Sequence, residues 1–307
     1  MHPLKGIALK ICSVITFITM ASLIKATAQH VPAGQAVFFR SVFALPVILA
    51  WLAVRGDLRT GLKAASPMGH FWRGFVGTVA MGLGFAGLGL LPLPEVTAIG
   101  YAAPLMTVIL AAMFLGEQVR LFRLGAVALG MVGVLIVLGP RLSAFSGDTV
   151  EKTAALGAML VLTGALCAAL AQIYIRKLVQ SEQTSAIVFY FSVTSASLSL
   201  LTLPFGWVLP TGQEAAFLIL AGLLGGMGQI FLTSAYRFAP ASVVAPFDYA
   251  SMLFAILIGM FFFNEIPDLR TIGGAALVIL AGVIIIWREH QLGLERGRAR
   301  RGMTPQG

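Results

Sequence analysis

Charge is scarce in this chain. Only 11% of its 307 residues are Asp, Glu, Lys or Arg, against about 25% in an average soluble domain. A water-soluble fold of this length cannot cover its surface with so few charges, so a large apolar area must face something other than water. Acidic residues are the scarcer kind, 12 against 21 basic, for a net charge of +9. In a soluble protein that balance points to nucleic acid. In an apolar chain it reflects Lys and Arg held in cytoplasmic loops, and no nucleic-acid-binding motif is present.

Cysteine is nearly absent. Cys12 and Cys167 both sit in apolar runs, which excludes a disulfide framework or a metal-binding spacing. The four histidines, His2, His30, His70 and His290, stand at or beyond the ends of apolar runs, which argues against a buried proton relay. There is no Walker motif, and the glycine runs lack the Lys-Ser/Thr of a phosphate loop. There is no His pair, Asp-rich metal motif or Ser/His couple of the kind a membrane-embedded lipid enzyme uses. No cofactor or metal is called for, and a receptor or channel finds no sensing region.

What the chain has is apolar length. Hydrophobic residues make up 58%, and a helix needs about 20 of them in succession to cross hydrocarbon. Such segments predict an all-α integral membrane protein of ten transmembrane helices, near 6–28, 34–54, 71–90, 96–115, 121–138, 154–175, 185–203, 215–235, 242–263 and 270–287. Breakers such as Leu91-Pro92-Leu93-Pro94 and Gly139-Pro140 mark the turns. The tail after Trp287 is Arg-rich and expected to fray. Lys5, Lys10 and Ala26-Thr27-Ala28 give the first segment a signal-peptide look. Lys25 beside that triplet, and the repeat described next, favour a retained helix.

With the N-terminus placed inside, sixteen Lys and Arg residues fall on the inner side, Lys10 and Arg73 among them. Four fall outside: Lys25, Arg141, Lys152 and Arg270. That bias predicts cytoplasmic termini in an inner membrane.

The halves resemble each other. At an offset of 148, residues 92–129 meet 240–277 with eleven identities, among them Tyr101/Tyr249 and Glu117/Glu265. In helices 2 and 7, Phe38-Phe39-Arg40-Ser41-Val42 echoes Phe189-Tyr190-Phe191-Ser192-Val193. Residues 1–139 form the first unit and 154–288 the second, with a linker at 140–153 and a basic tail at 289–307. Five helices is an odd number, so the second unit enters the membrane from the opposite face. Inverted repeats are a scaffold for alternating access, with substrate held near the midplane between them.

Phe39-Arg40-Ser41, Tyr101-Ala102-Ala103-Pro104 with Gly116-Glu117, and Ala245-Pro246-Phe247-Asp248-Tyr249 with Asn264-Glu265 carry a further likeness. On these motifs the chain resembles the drug/metabolite transporter superfamily, with two EamA-type domains. It is most similar to the bacterial riboflavin transporters, then to the S-adenosylmethionine carriers. The resemblance implies a secondary transporter and not an enzyme. Its first expected substrate is riboflavin, a flat heteroaromatic vitamin, and the second is the nucleoside-like S-adenosylmethionine. Export of amino acids or other metabolites is the third expectation.

An ionisable residue inside a membrane helix marks a function or a partner. Arg40, about 9 Å into helix 2, stays charged and offers a fork of donors to an anionic or carbonyl-rich substrate. Asp248 in helix 9 is a candidate for substrate binding and for ion coupling; pairing with Arg40 is the alternative. Tyr101 and Tyr249 stand at equivalent places and can sandwich a flat ring or pack between helices. Gln172 and Gln229 can add hydrogen bonds to the substrate. Glu117 and Glu265 end helices 4 and 9 on opposite faces, where each is expected to cap the helix that follows.

Overall fold

A computed structural model describes residues 3–58, 60–115, 121–143, 149–178, 181–238 and 245–302. Every regular element among them is helical. The first half holds α1 (Pro3–Thr27), α2 (Ala33–Val42), α3 (Ala44–Val54), α4 (Pro67–Leu90), α5 (Leu93–Gly100), α6 (Ala102–Leu115) and α7 (Leu121–Ser143). The second holds α8 (Thr149–Leu178), α9 (Thr184–Ser199), a 3-10 turn (Leu200–Phe205), α10 (Gly212–Phe238), a 3-10 turn (Ala245–Tyr249), α11 (Ala250–Phe263) and α12 (Leu269–Gly302). The tail expected to fray continues α12 as helix.

Eight segments are long and apolar enough to span a membrane, and two shorter apolar helices, Phe247–Phe263 and Leu269–Ile285, follow them. Only 33–44% of each long segment is buried inside the protein. The remaining faces carry bare apolar side chains such as Phe71, Trp72, Phe75, Val132 and Leu135, which need lipid around them.

Three of the eight spans are interrupted, the shorter segment Phe247–Phe263 opens on a tight turn, and proline explains where. A helical proline has no N–H and crowds the carbonyl four residues back. Pro46, Pro104 and Pro204 point back to Val42, Gly100 and Leu200, where α2, α5 and α9 stop or tighten. The joint residues keep near-helical geometry with ψ pulled toward zero: Phe43 has φ −77°, ψ −7° and Tyr101 has φ −66°, ψ −6°. Pro246 sits in the tight turn that opens α11. The interruptions come in counterpart pairs, α2–α3 with α9 and α5–α6 with the turn and α11.

The packing runs between the halves. The most extensive helix contacts are α1 on α10, α4 on α8, and α7 on α12. Exchanging the halves turns the α1–α10 pair into α8–α4 and returns α7–α12 to itself. The α4–α9 contact becomes α10 on α2 and α3, which is also present. Single residues obey the same exchange. A Cβ at Gly74 would strike Thr194, and one at Gly222, 148 positions on, would strike Phe43. Thr194 and Phe43 are themselves 151 apart, the offset of the helix 2 and helix 7 echo. Where α7 and α12 cross, Gly133 and Gly274 each place their backbone where a Cβ of the other would go, which is how small residues let membrane helices close up.

Two residues counted with the inner-side charges are buried inside helices, within the expected spans 6–28 and 71–90. Lys10 and Arg73 are 2% and 5% exposed. Both helices begin three or four residues before the expected starts at 6 and 71, at Pro3 and Pro67, which sets Lys10 and Arg73 deeper in their helices. His70 stands in the first turn of α4, at the end of the span as expected, but is only 3% exposed and lies tilted against the Tyr190 ring, 4.9 Å between centroids. Its Nε2 lies 3.4 Å from Glu182 without hydrogen-bond alignment.

Candidate functional site

At the centre of the seam, Arg40 of α2 and Arg73 of α4 converge on one ring. The Arg73 guanidinium lies 3.6 Å from the centroid of Phe191 in α9, and that of Arg40 lies 5.3 Å from it. Phe191 is the repeat counterpart of Arg40, so this arginine meets the residue standing in its own place in the other half. Two glycines make room. A Cβ at Gly77 would come within 2.6 Å of Arg73 Nη1 and 2.9 Å of Phe191, and one at Gly225 within 2.9 Å of Arg40 Nε. These glycines are again 148 apart. Ser41 and Ser192, another counterpart pair, are 0% and 1% exposed, and neither hydroxyl has a hydrogen-bond partner. Thr78 Oγ1 and Ser195 Oγ, 2.7 Å apart, add a polar contact next to the ring. Gln229 lies one turn beyond Gly225 on the same face of α10 and is half-buried.

A second polar group holds the mouth of the seam where α1 begins. Lys10 Nζ lies 2.6 Å from Asp248 Oδ1. The alternative pairing of Asp248 with Arg40 is therefore not formed. The Ser251 hydroxyl donates to the Asp248 carbonyl at 2.7 Å and stands 2.7 Å from the Tyr101 hydroxyl. Tyr101 and Tyr249 meet edge to face, 5.2 Å between centroids at 70°. A flat ring held between two others needs them parallel and about 7 Å apart, twice the carbon contact distance. In this conformation the tyrosines therefore pack against each other and do not form a sandwich. The backbone of α12 comes so close at Gly282 that a Cβ there would overlap the Tyr249 hydroxyl.

The opposite mouth is tied more heavily. Lys25 Nζ lies 2.8 Å from Glu265 Oε1 and donates to the carbonyls of Leu88 and Leu91 at 3.2 and 2.7 Å. Glu265 Oε2 accepts the Leu93 N–H at 2.8 Å, so it caps α5 and not the helix that follows it. Arg141 grips Glu95 through both carboxylate oxygens, at 2.6 and 3.0 Å. Gln35 donates to the Val208 carbonyl at 2.8 Å and accepts its N–H at 3.0 Å. Glu117 lies outside the described residues. Gln172 is exposed on α8 and is not brought to the arginines.

Sequence reasoning named Arg40 but missed Arg73, Phe191 and Lys10. The signal for the first two was available: the Gly74/Gly77 and Gly222/Gly225 pairs at the repeat offset flag the wall on which the arginines lie.

The chain matches known proteins over nearly its whole length. Residues 4–139 and 155–288 each match the profile of the EamA-like transporter family. An S-adenosylmethionine uptake transporter of Rickettsia prowazekii is 27% identical over 94% of this chain and 94% of its own. A pseudopaline exporter of Pseudomonas aeruginosa is 29% identical over 91% of this chain and 95% of its own. A protein of known crystal structure shares the fold at a TM-score of 0.67 and 20% identity, covering 94% of this chain and 98% of that one. No riboflavin transporter is among these relatives.

Proposed function

The chain belongs to the EamA-like transporter family, and on that premise we propose that it is a secondary carrier for the uptake of S-adenosylmethionine across an inner membrane. A small-molecule transporter is what the family makes it. The exchange-symmetric packing carries the mechanism, because each half presses its helices mainly against the other. Two such halves can rock about their shared seam and open it to either face. This reading takes ten spans, the second five inverted, with both termini cytoplasmic. Removing buried Lys10 and Arg73 from the loop count leaves fourteen basic residues inside against four outside, still a strong bias.

The substrate follows the relatives. S-adenosylmethionine, not riboflavin, is the compound named for a relative matched end to end. An exporter matches equally well, so uptake rests on the first relative. Asp248 is the proposed coupling group: Lys10 holds it with an internal cation that a proton or the substrate's sulfonium can displace. Purified protein in liposomes should accumulate radiolabelled S-adenosylmethionine and leave labelled riboflavin outside. The reverse pattern would restore riboflavin.

A further inference from the structure

Arg40 and Arg73 are 2% and 5% exposed, and both lie inside membrane-spanning helices. Each is about 10 Å from the start of its span by helical rise, counted from Ala33 and Pro67. The Nε and Nη1 atoms of both are buried without a hydrogen-bond partner, and neither arginine has an ion pair among the described residues. What they share is the face of Phe191. A ring face attracts a cation but accepts none of these N–H groups in the way an oxygen does. Two like charges held together, with these buried N–H groups unmet, are costly for the empty protein. The nearby Ser41 and Ser192 hydroxyls also lack partners. All of these groups are donors, or can be, and all sit where the two halves meet.

Resting on the transport reading above, we propose that Arg40 and Arg73 form a clamp for the carboxylate of the transported metabolite, with Phe191 as its floor. The site therefore selects substrates that carry an ionised carboxylate, such as amino-acid derivatives. A planar carboxylate suits two guanidinium forks. Riboflavin carries none, which gives a physical reason for its demotion. The clamp uses residues from both halves: both arginines come from the first, and the ring and Ser192 from the second. A bound carboxylate would pull the second half onto the first at the level where they must move relative to one another.

The test measures binding to purified full-length protein in nanodiscs. The probes are S-adenosylmethionine, its decarboxylated counterpart and inorganic phosphate. Wild type should bind the carboxylate form about tenfold or more tightly than the decarboxylated form, as expected for hydrogen bonds to a charged group. Arg40→Gln and Arg73→Gln should erase that preference, and Arg73→Lys should keep part of it. Phosphate should not compete. Equal binding of the two organic probes by wild type overturns the clamp while leaving transport intact, and competition by phosphate overturns its assignment to a carboxylate.

A ligand-free readout separates the clamp from the choice of substrate. Arg73→Gln should raise the unfolding temperature of the empty protein, because it removes an uncompensated buried charge. A fall would mean that the charge is satisfied without ligand, and would overturn the proposal. If S-adenosylmethionine fails to bind while Arg73→Gln still stabilises, the transport reading loses its substrate and the clamp stands for another carboxylate.

Discussion

Lys25 is the hinge pin of one mouth of the seam, and removing it should be expensive. Its ammonium touches Glu265 and two backbone carbonyls at the end of α4, and so ties α1 to the α4–α5 turn and to the end of α11. The side chains of Lys25 and Glu265 are 11% and 18% exposed. Breaking a fully buried pair by deleting one partner costs about 3–5 kcal/mol. The partial exposure here lets water reclaim some of that, so Lys25→Met should cost about 2–3 kcal/mol. Glu265→Gln keeps an oxygen for the Leu93 N–H and should cost less, about 1–2 kcal/mol. In the double variant no carboxylate is left stranded, so its loss should fall short of the sum of the singles by about 1–2 kcal/mol. Unfolding in mixed micelles with a rising fraction of dodecyl sulfate gives all three values on one scale. Additivity within about 0.5 kcal/mol would refute the reasoning, since the two residues would then not act as a unit.

Two neighbouring glycines of α12 should respond with opposite signs. Gly273 has open space where a Cβ would go, whereas at Gly274 a Cβ would meet the Gly133 carbonyl and Val137 at 2.5 Å. In the same unfolding assay, Gly273→Ala should therefore stabilise by up to about 1 kcal/mol and Gly274→Ala should destabilise by about 1–3 kcal/mol; the same sign for both would contradict the close crossing of α7 and α12. Gln35→Ala should cost about 2 kcal/mol, one for each of its two hydrogen bonds to Val208, and Gln35→Glu, which keeps only the acceptor, should fall between; a silent Gln35→Ala would show that this tie does not hold the mouth closed.

The helical architecture and the repeat were legible in sequence because lipid imposes them residue by residue. Length and apolarity mark each span, and a residue that serves one half serves its counterpart. Depth was harder to read. Lys10 and Arg73 were counted with the loop charges although the expected spans, 6–28 and 71–90, already enclose them, because each stands within a few residues of a span's start. A polar residue near a span's end is cheap either way, so hydropathy cannot say on which side of the boundary it falls. The tyrosine pair left two readings open, a sandwich or packing between helices. Equal positions in two inverted repeats fix equal distances from opposite faces, but they leave open whether the residues face each other across a gap or touch. Only the packing decides that, and here Gly282 and Ser251 bring them into contact. The arginine pair required knowing that α2, α4 and α9 share a wall.

The partnership of α1 with α10 has a consequence for how the chain is made. The ribosome delivers α1 long before its main neighbour, α10, which begins at Gly212. The carboxylates that answer Lys10 and Lys25 come later still, at Asp248 and Glu265. For most of synthesis the nascent chain therefore holds two lysines at the bilayer whose counter-charges have yet to be translated. A product cut short after the first repeat would carry both lysines and neither of the carboxylates that pair with them.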